Sequence, residues 1–316
     1  MVSDNFINFL ITGLVSIYLY LDDIWIFTGD KGGIMGFHRK TLVDGLIFGE
    51  GPRWHDDRLW FSDMQAGLVM ATDIDGNCEK IVDVPGSPSG LGWLPDGRLL
   101  VVSMIDRRLL RMEGERLIEH ADLSNIATWH CNDMVVDGKG NAYIGNFGFD
   151  LEVNDIKPVE ATMAMVTPEG EVTPAADGLL FPNGTVITSD ARTLIVAETY
   201  GARLTAFDIQ SDGTLTNRRL FADVSPHFPD GICLDTEGAI WVADPVGGEC
   251  IRVLEGGEIT HRIDTGRGCF ACMLGGANRN TLFMMTAGDF RTDTVVRAQN
   301  GKVEYVEVDV PGAGWP

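Results

Sequence analysis

The sequence predicts an all-β protein folded as a six-bladed β-propeller, and three observations predict it. A polar residue, a short spacer, an apolar residue, an Asp/Gly turn and a strand recur along the chain. Each recurrence leaves room for four short strands. No stretch carries the 3.6-residue periodicity of a helical repeat, and Gly is dense, 38 in 316 residues.

The copies can be read in order. They are "EGPRWHDDRLWFSD" from Glu50, "SGLGWLPDGRLLVVS" from Ser89, "NDMVVDGKGNAYIGN" from Asn132, "NGTVITSDARTLIVAE" from Asn183 and "DGICLDTEGAIWVAD" from Asp230. A degenerate sixth, "FACMLGGANRNTLFMMT", begins at Phe270. Successive starts lie 39 to 51 residues apart, the spacing of propeller blades. In the fourth copy the strand runs "TVIT", "TLIVA", "RLTAFDI" and "RRLFADV" are parted by the turns "SDAR", "TYGA" and "QSDGTLTN". A ring left open exposes sheet edges, so "HRKTLVDGLIF" (38–48) is expected to supply a strand to the last blade.

Composition bounds the function. Apolar residues make up 45% and charged residues 22% of the chain, an ordinary globular balance. The formal charge of -22 repels phosphate backbones and anionic lipid, and no basic stripe offsets it. Nucleic acid and membranes are therefore poor partners. The six cysteines lie mostly in apolar, strand-like runs and read as reduced, buried thiols of a cytoplasmic protein. Cys269 and Cys272 form a C-x-x-C, but no second pair or His completes a zinc site.

Residues 1–34 do not share this pattern and are expected to be an extension, disordered or outside the fold, ahead of a propeller at 35–316. The run "FINFLITGLVSIYLYL" (6–21) is short for a membrane span, and no Lys or Arg precedes it. Met35 opens a natural-looking beginning. Translated upstream sequence, a surface-docked or flexible extension and a weak membrane anchor all fit this composition.

In a propeller, equivalent positions lie at equivalent radius around the central channel. Glu50, Ser89, Asn132, Asn183 and Asp230 should thus form one ring, four of them bearing carboxylate or amide oxygens. Such residues also cap strands and turns. Together, however, they place two negative charges in one channel, to be neutralised by protonation or by a cation. Oxygen donors of this kind suit Ca²⁺, Mg²⁺ or Mn²⁺. The absence of His from the ring weakens a classical zinc assignment without excluding it. A second polar phase, Asp63, Ser103, Asn146, Glu198, Asp244 and Thr286, is expected to brace neighbouring turns or orient the first ring.

The phrases "GEGPRW", "PSGLGWLPDGRLL", "CNDMVVDGKGNAYIGN", "FPNG" and "FPDGICLDTEGAIWVAD" resemble the senescence marker protein/regucalcin–gluconolactonase family over about residues 44–290. That resemblance implies a six-bladed propeller with one divalent metal in a central channel, held by Glu50, Asn183 and Asp230. It places Asn132 beside substrate or water, and it implies hydrolysis of a lactone or related ester. The ion expected first is Ca²⁺, with Zn²⁺, Mg²⁺ and Mn²⁺ as the others. Where sugar-lactone members often carry Arg two residues before the "ND" Asn, this chain has His130, which shuttles protons but cannot grip hydroxyls bidentately. A less polar substrate is thus expected, contacted by Trp129, His130, Asn132, Asn146 and Phe147.

The expected mechanism divides labour. Glu50 and Asn183 fix the ion, Asp230 ligates it and takes a proton from water activated there, Asn132 positions water or carbonyl, and His130 assists. No nucleophile elbow, P-loop or dinucleotide fingerprint competes. The alternatives are a non-catalytic calcium-binding or scaffold propeller and a strictosidine-synthase-like lyase on the same fold.

Overall fold

The computed structural model describes residues 37–153 and 156–314; the expectations for residues 1–34 lie outside them. Six four-stranded antiparallel sheets follow one another as blades. In chain order blades 1 to 5 span 49–83, 88–122, 131–179, 182–223 and 232–264. Blade 6 takes three strands from 268–307 and its outermost from Lys40–Leu46, which pairs antiparallel with Gly301–Glu307. The last blade is thus completed to four strands by the segment the sequence points to. The four strand runs read in the fourth copy appear as Pro182–Ile187, Thr193–Glu198, Arg203–Ile209 and Leu215–Asp223.

The core lies between blade faces. Phe283, Met284 and Trp241 pack with Leu59 and Phe61 where blades 5, 6 and 1 meet, and Val186, Ile195 and Ile240 fill the space between blades 4 and 5. Inner strands such as Cys131–Val136 and Pro182–Ile187 are wholly buried, whereas outer strands such as Cys78–Asp83 are half solvated. That position explains one departure from expectation: Cys78 is exposed, while the other five cysteines are buried and all six are free thiols. Cys272 Sγ lies 3.8 Å from Cys233 Sγ and close to the Gly231 and Trp241 carbonyls, a packed thiol in the blade 5–6 interface.

The glycines after the ring positions have a steric cause. A Cβ on Gly184 would sit 2.5 Å from the Ile232 nitrogen of blade 5, and one on Gly231 would sit 2.6 Å from Ala271 Cα of blade 6. Adjacent inner strands approach so closely near the axis that only Gly fits.

The second polar phase braces the first. Asp63 accepts the Ile47 and Phe48 amides, Glu198 the Leu180 amide and Asp244 the Phe228 amide. Each carboxylate, at the end of its blade's second strand, clamps the chain just before that blade's ring residue: Glu50, Asn183 and Asp230 follow within three positions. Glu198 is the most heavily committed. Burial alone raises its carboxyl, but hydrogen bonds from Arg203, Thr205 and Leu180 outweigh burial and hold it below the usual 4.5. Such a group stabilises the fold above its unfolded pKa and loses that contribution as pH falls through its folded value. Glu198→Gln should therefore cost about 2 kcal/mol at pH 7. In urea titrations the gap from the parent protein should close towards pH 3; a gap of equal size at both pH values would contradict the assignment.

Candidate active site

The inner strands deliver their polar residues to one end of the channel. Glu50 lies in Gly49–His55, Asn132 in Cys131–Val136, Asn183 in Pro182–Ile187, and Asp230 two residues before Ile232–Leu234. All four line a single cavity of about 660 Å³, and all four are buried. Ser89, the fifth ring position, is also buried; its hydroxyl donates to Asn132 Oδ1 at 3.4 Å.

The electrostatics are those of a charge trap. Burial, with repulsion from Asp230, pushes the Glu50 carboxyl well above its ordinary value, only partly offset by the Gly51 amide. Burial likewise drives Asp230 up; the Asn183 amide opposes this, and Asp133 and Asp244 add repulsion. Two desolvated carboxyls thus line one cavity. Asn132 Nδ2 is buried with no protein partner. Asn183 Nδ2 donates to Thr199 Oγ1 at 3.2 Å, and Thr199 in turn donates to the Pro229 carbonyl at 2.7 Å. Its amide oxygen is therefore the group available to a ligand. Two desolvated carboxylates, one amide oxygen and one orphaned amide donor fit a hard divalent cation beside a polar substrate atom.

Sequence reasoning missed two residues here. Asp133 stands where the other four ring residues are followed by Gly, and its side chain turns to Arg53, whose Nη2 lies 2.6 Å away and also donates to the Met134 carbonyl. Both side chains are more than nine-tenths buried. A lone Arg in the apolar phrase "GEGPRW" is the signal that could have found it. Burial lifts the Asp133 carboxyl and Arg53 pulls it back. The pair links blade 1 to blade 3 beside Glu50.

Trp129, His130 and Phe147 line the cavity wall. The His130 ring stacks on Trp129, with centroids 5.0 Å apart and planes at 23°, and stands 6.0 Å from Phe147. Burial lowers its pKa from 6.5 despite the pull of Asp150 and Glu152, so the imidazole is neutral at neutral pH. Asn146 differs from expectation and does not reach the cavity. Its Nδ2 donates to the Thr162 carbonyl at 2.8 Å and its Oδ1 accepts the Gly148 amide at 3.1 Å, so both ends of the amide are spent inside blade 3.

Among the described residues, the one group of three His, Cys, Asp or Glu donors within 4.8 Å of one another is His227, Asp244 and Glu249. Its donor atoms are already occupied. Asp244 holds His227 Nδ1 at 2.7 Å and the amides of Val246 and Gly247, and Arg262 caps Glu249 at 2.6 Å. This trio braces the segment leading to Asp230.

Comparison with known proteins agrees with this architecture. The chain is 26% identical over 255 residues to a pentonolactonase of Haloferax volcanii, covering 79% of this chain and 84% of that protein. It is 27% identical over 219 residues to a regucalcin of Danio rerio, covering 65% and 70%. Among solved structures, a calcium-binding regucalcin of Agrobacterium tumefaciens superposes with a TM-score of 0.74 at 21% identity, over 90% of this chain and 98% of that one. A gluconolactonase of Xanthomonas campestris gives 0.69 at 23%, over 86% and 89%. Among the described residues, no helix is long and apolar enough to cross a membrane. The family model for the SMP-30/gluconolactonase/LRE-like region matches residues 48–288, and the chain belongs to that family.

Proposed function

We propose that the protein is a metal-dependent hydrolase that opens a lactone or a related ester. The observation that carries this reading is that Glu50, Asn132, Asn183 and Asp230 are all buried and line one cavity, in a family with relatives named as lactonases. Glu50, Asn183 and Asp230 hold the cation, with Ca²⁺ the first expectation, in keeping with the calcium-binding relative. When bound, the cation supplies Lewis-acid polarisation of the carbonyl and neutralises the oxyanion charge.

The protein's own groups do the rest. Asp230 accepts a proton as the oxygen of water adds to the carbonyl carbon. Asn132 Nδ2, which has no protein partner, donates to the carbonyl or aligns the water. The C–O bond of the ring then breaks, and the departing alkoxide takes a proton from Asp230 or through His130, leaving a hydroxy acid. His130 is suited to this because burial keeps it neutral and able to accept or relay a proton.

The test is a panel of lactones and simple esters assayed after chelation with EDTA and again with Ca²⁺, Zn²⁺, Mg²⁺ or Mn²⁺ restored. Turnover should vanish on chelation and return with at least one ion. The returning ion should also raise the melting temperature, by the equivalent of about 2.7 kcal/mol at a hundred times its Kd. Full turnover in EDTA would overturn the reading.

A further inference from the structure

We infer that the substrate of this site carries a large apolar body behind its reactive carbonyl, an alkyl- or aryl-substituted lactone or ester rather than a polyhydroxylated sugar lactone. The inference rests on the hydrolytic reading above and names its substrate class. Above the polar floor the cavity wall is aromatic. Phe147 packs on Phe181 at 4.7 Å between centroids, Phe181 on Tyr200 at 5.8 Å, and Tyr200 on Phe228 at 6.3 Å. On the opposite side Phe48 meets Phe270 edge-on at 4.7 Å. The volume of about 660 Å³ lies mid-range for pockets that hold drug-sized ligands.

Several of the polar groups on this wall are already engaged by the protein. Asp289 accepts the Phe290 and Arg291 amides and the Arg291 guanidinium. Glu152 accepts the Thr292 hydroxyl, and Asp150 accepts the Glu152 amide. Thr199 is engaged by Asn183 and Pro229. A sugar hydroxyl pressed against the aromatic rings loses water without gaining a partner, which weakens binding about five- to hundredfold per group.

The apolar surface also continues out of the cavity. Ile105, Val246 and Phe290 line it and are 50%, 71% and 43% exposed. They come from blade 2, blade 5 and blade 6, so the rim is apolar on several sides of the mouth. Isolated exposed apolar residues need no explanation, but several sharing one cavity mouth mark a binding surface. A substrate whose apolar body reaches the mouth buries this rim, whereas a compact lactone leaves it wet.

The test separates binding from turnover. Unreactive γ-lactams with side chains from methyl to octyl, and a polyhydroxylated lactam, are titrated calorimetrically into the protein. Affinity should rise about two- to fourfold per methylene, and the polyhydroxylated lactam should bind at least about tenfold more weakly than the octyl compound. The double variant Ile105→Ser/Val246→Ser should weaken the octyl lactam about tenfold and leave the methyl lactam unchanged. A flat response to chain length, or tighter binding of the polyhydroxylated lactam, would overturn the inference. The matching lactones are assayed in parallel with metal. Graded lactam binding without hydrolysis of any lactone defeats the hydrolytic reading and keeps the ligand class. Faster hydrolysis of sugar lactones than of alkyl lactones, by kcat/KM, does the reverse.

Discussion

Asp230→Asn should lower kcat/KM by about a thousandfold or more. A general base alone contributes about a hundred- to ten-thousandfold, and this substitution also removes one of the two charges proposed to hold the cation. The side chain keeps its size, and the backbone is fixed independently: the Asp230 amide donates to the Ala243 carbonyl at 3.0 Å, and the Gly184 amide donates to the Asp230 carbonyl at 3.2 Å. Loss of activity therefore does not require loss of the fold. Stability of the metal-free protein should move the other way. Asp230 is desolvated and repels Glu50, so neutralising it should raise the unfolding free energy in EDTA by on the order of 1 kcal/mol. Near-normal turnover would show that Asp230 is not the base; a folded, inactive and more stable variant is the expected combination.

Arg53→Ala should be the most damaging single change to stability. The Arg53 guanidinium, 4% exposed, carries the Asp133 carboxylate and the Met134 carbonyl from another blade. Removing it strands a buried carboxylate beside Glu50 and Asp230, whose charges already repel. Breaking a buried ion pair from one side costs about 3–5 kcal/mol. The double variant Arg53→Met/Asp133→Leu removes both charges and should recover much of that loss, because the penalty belongs to the unpaired charge and not to the missing bond. Urea unfolding of the parent, Arg53→Met, Asp133→Leu and the double variant measures the coupling. A loss below about 1 kcal/mol for Arg53→Ala, with no recovery in the double variant, would mean that the pair is a bystander.

These two residues also mark the line between what the sequence discloses and what it hides. Each blade repeats its inner strand, so a shared phase places Glu50, Asn132, Asn183 and Asp230 at one radius. The closing strand was legible because an open ring must find a partner for its last edge. The bracing by Asp63, Glu198 and Asp244 followed from the same repeat. Arg53 and Asp133 have no counterparts in other blades, and their contact spans 80 positions, so periodicity says nothing of it. Asn146 shares the second phase, yet its neighbours Gly148 and Thr162 absorb both ends of its amide. The aromatic wall was legible only in part. Phe48, Phe181 and Phe228 share one phase, each two residues before its ring position, whereas Tyr200 and Phe290 lie in connections between strands that no repeat aligns.

The account stands on the claim that Glu50, Asn183 and Asp230 share one cation. Anomalous diffraction from crystals grown with a single divalent ion of strong signal, such as Mn²⁺ or Zn²⁺, tests it directly. One peak in contact with carboxylate oxygens of Glu50 and Asp230 and the amide oxygen of Asn183 is the predicted result. A peak at His227, Asp244 and Glu249 with the channel floor vacant would contradict it.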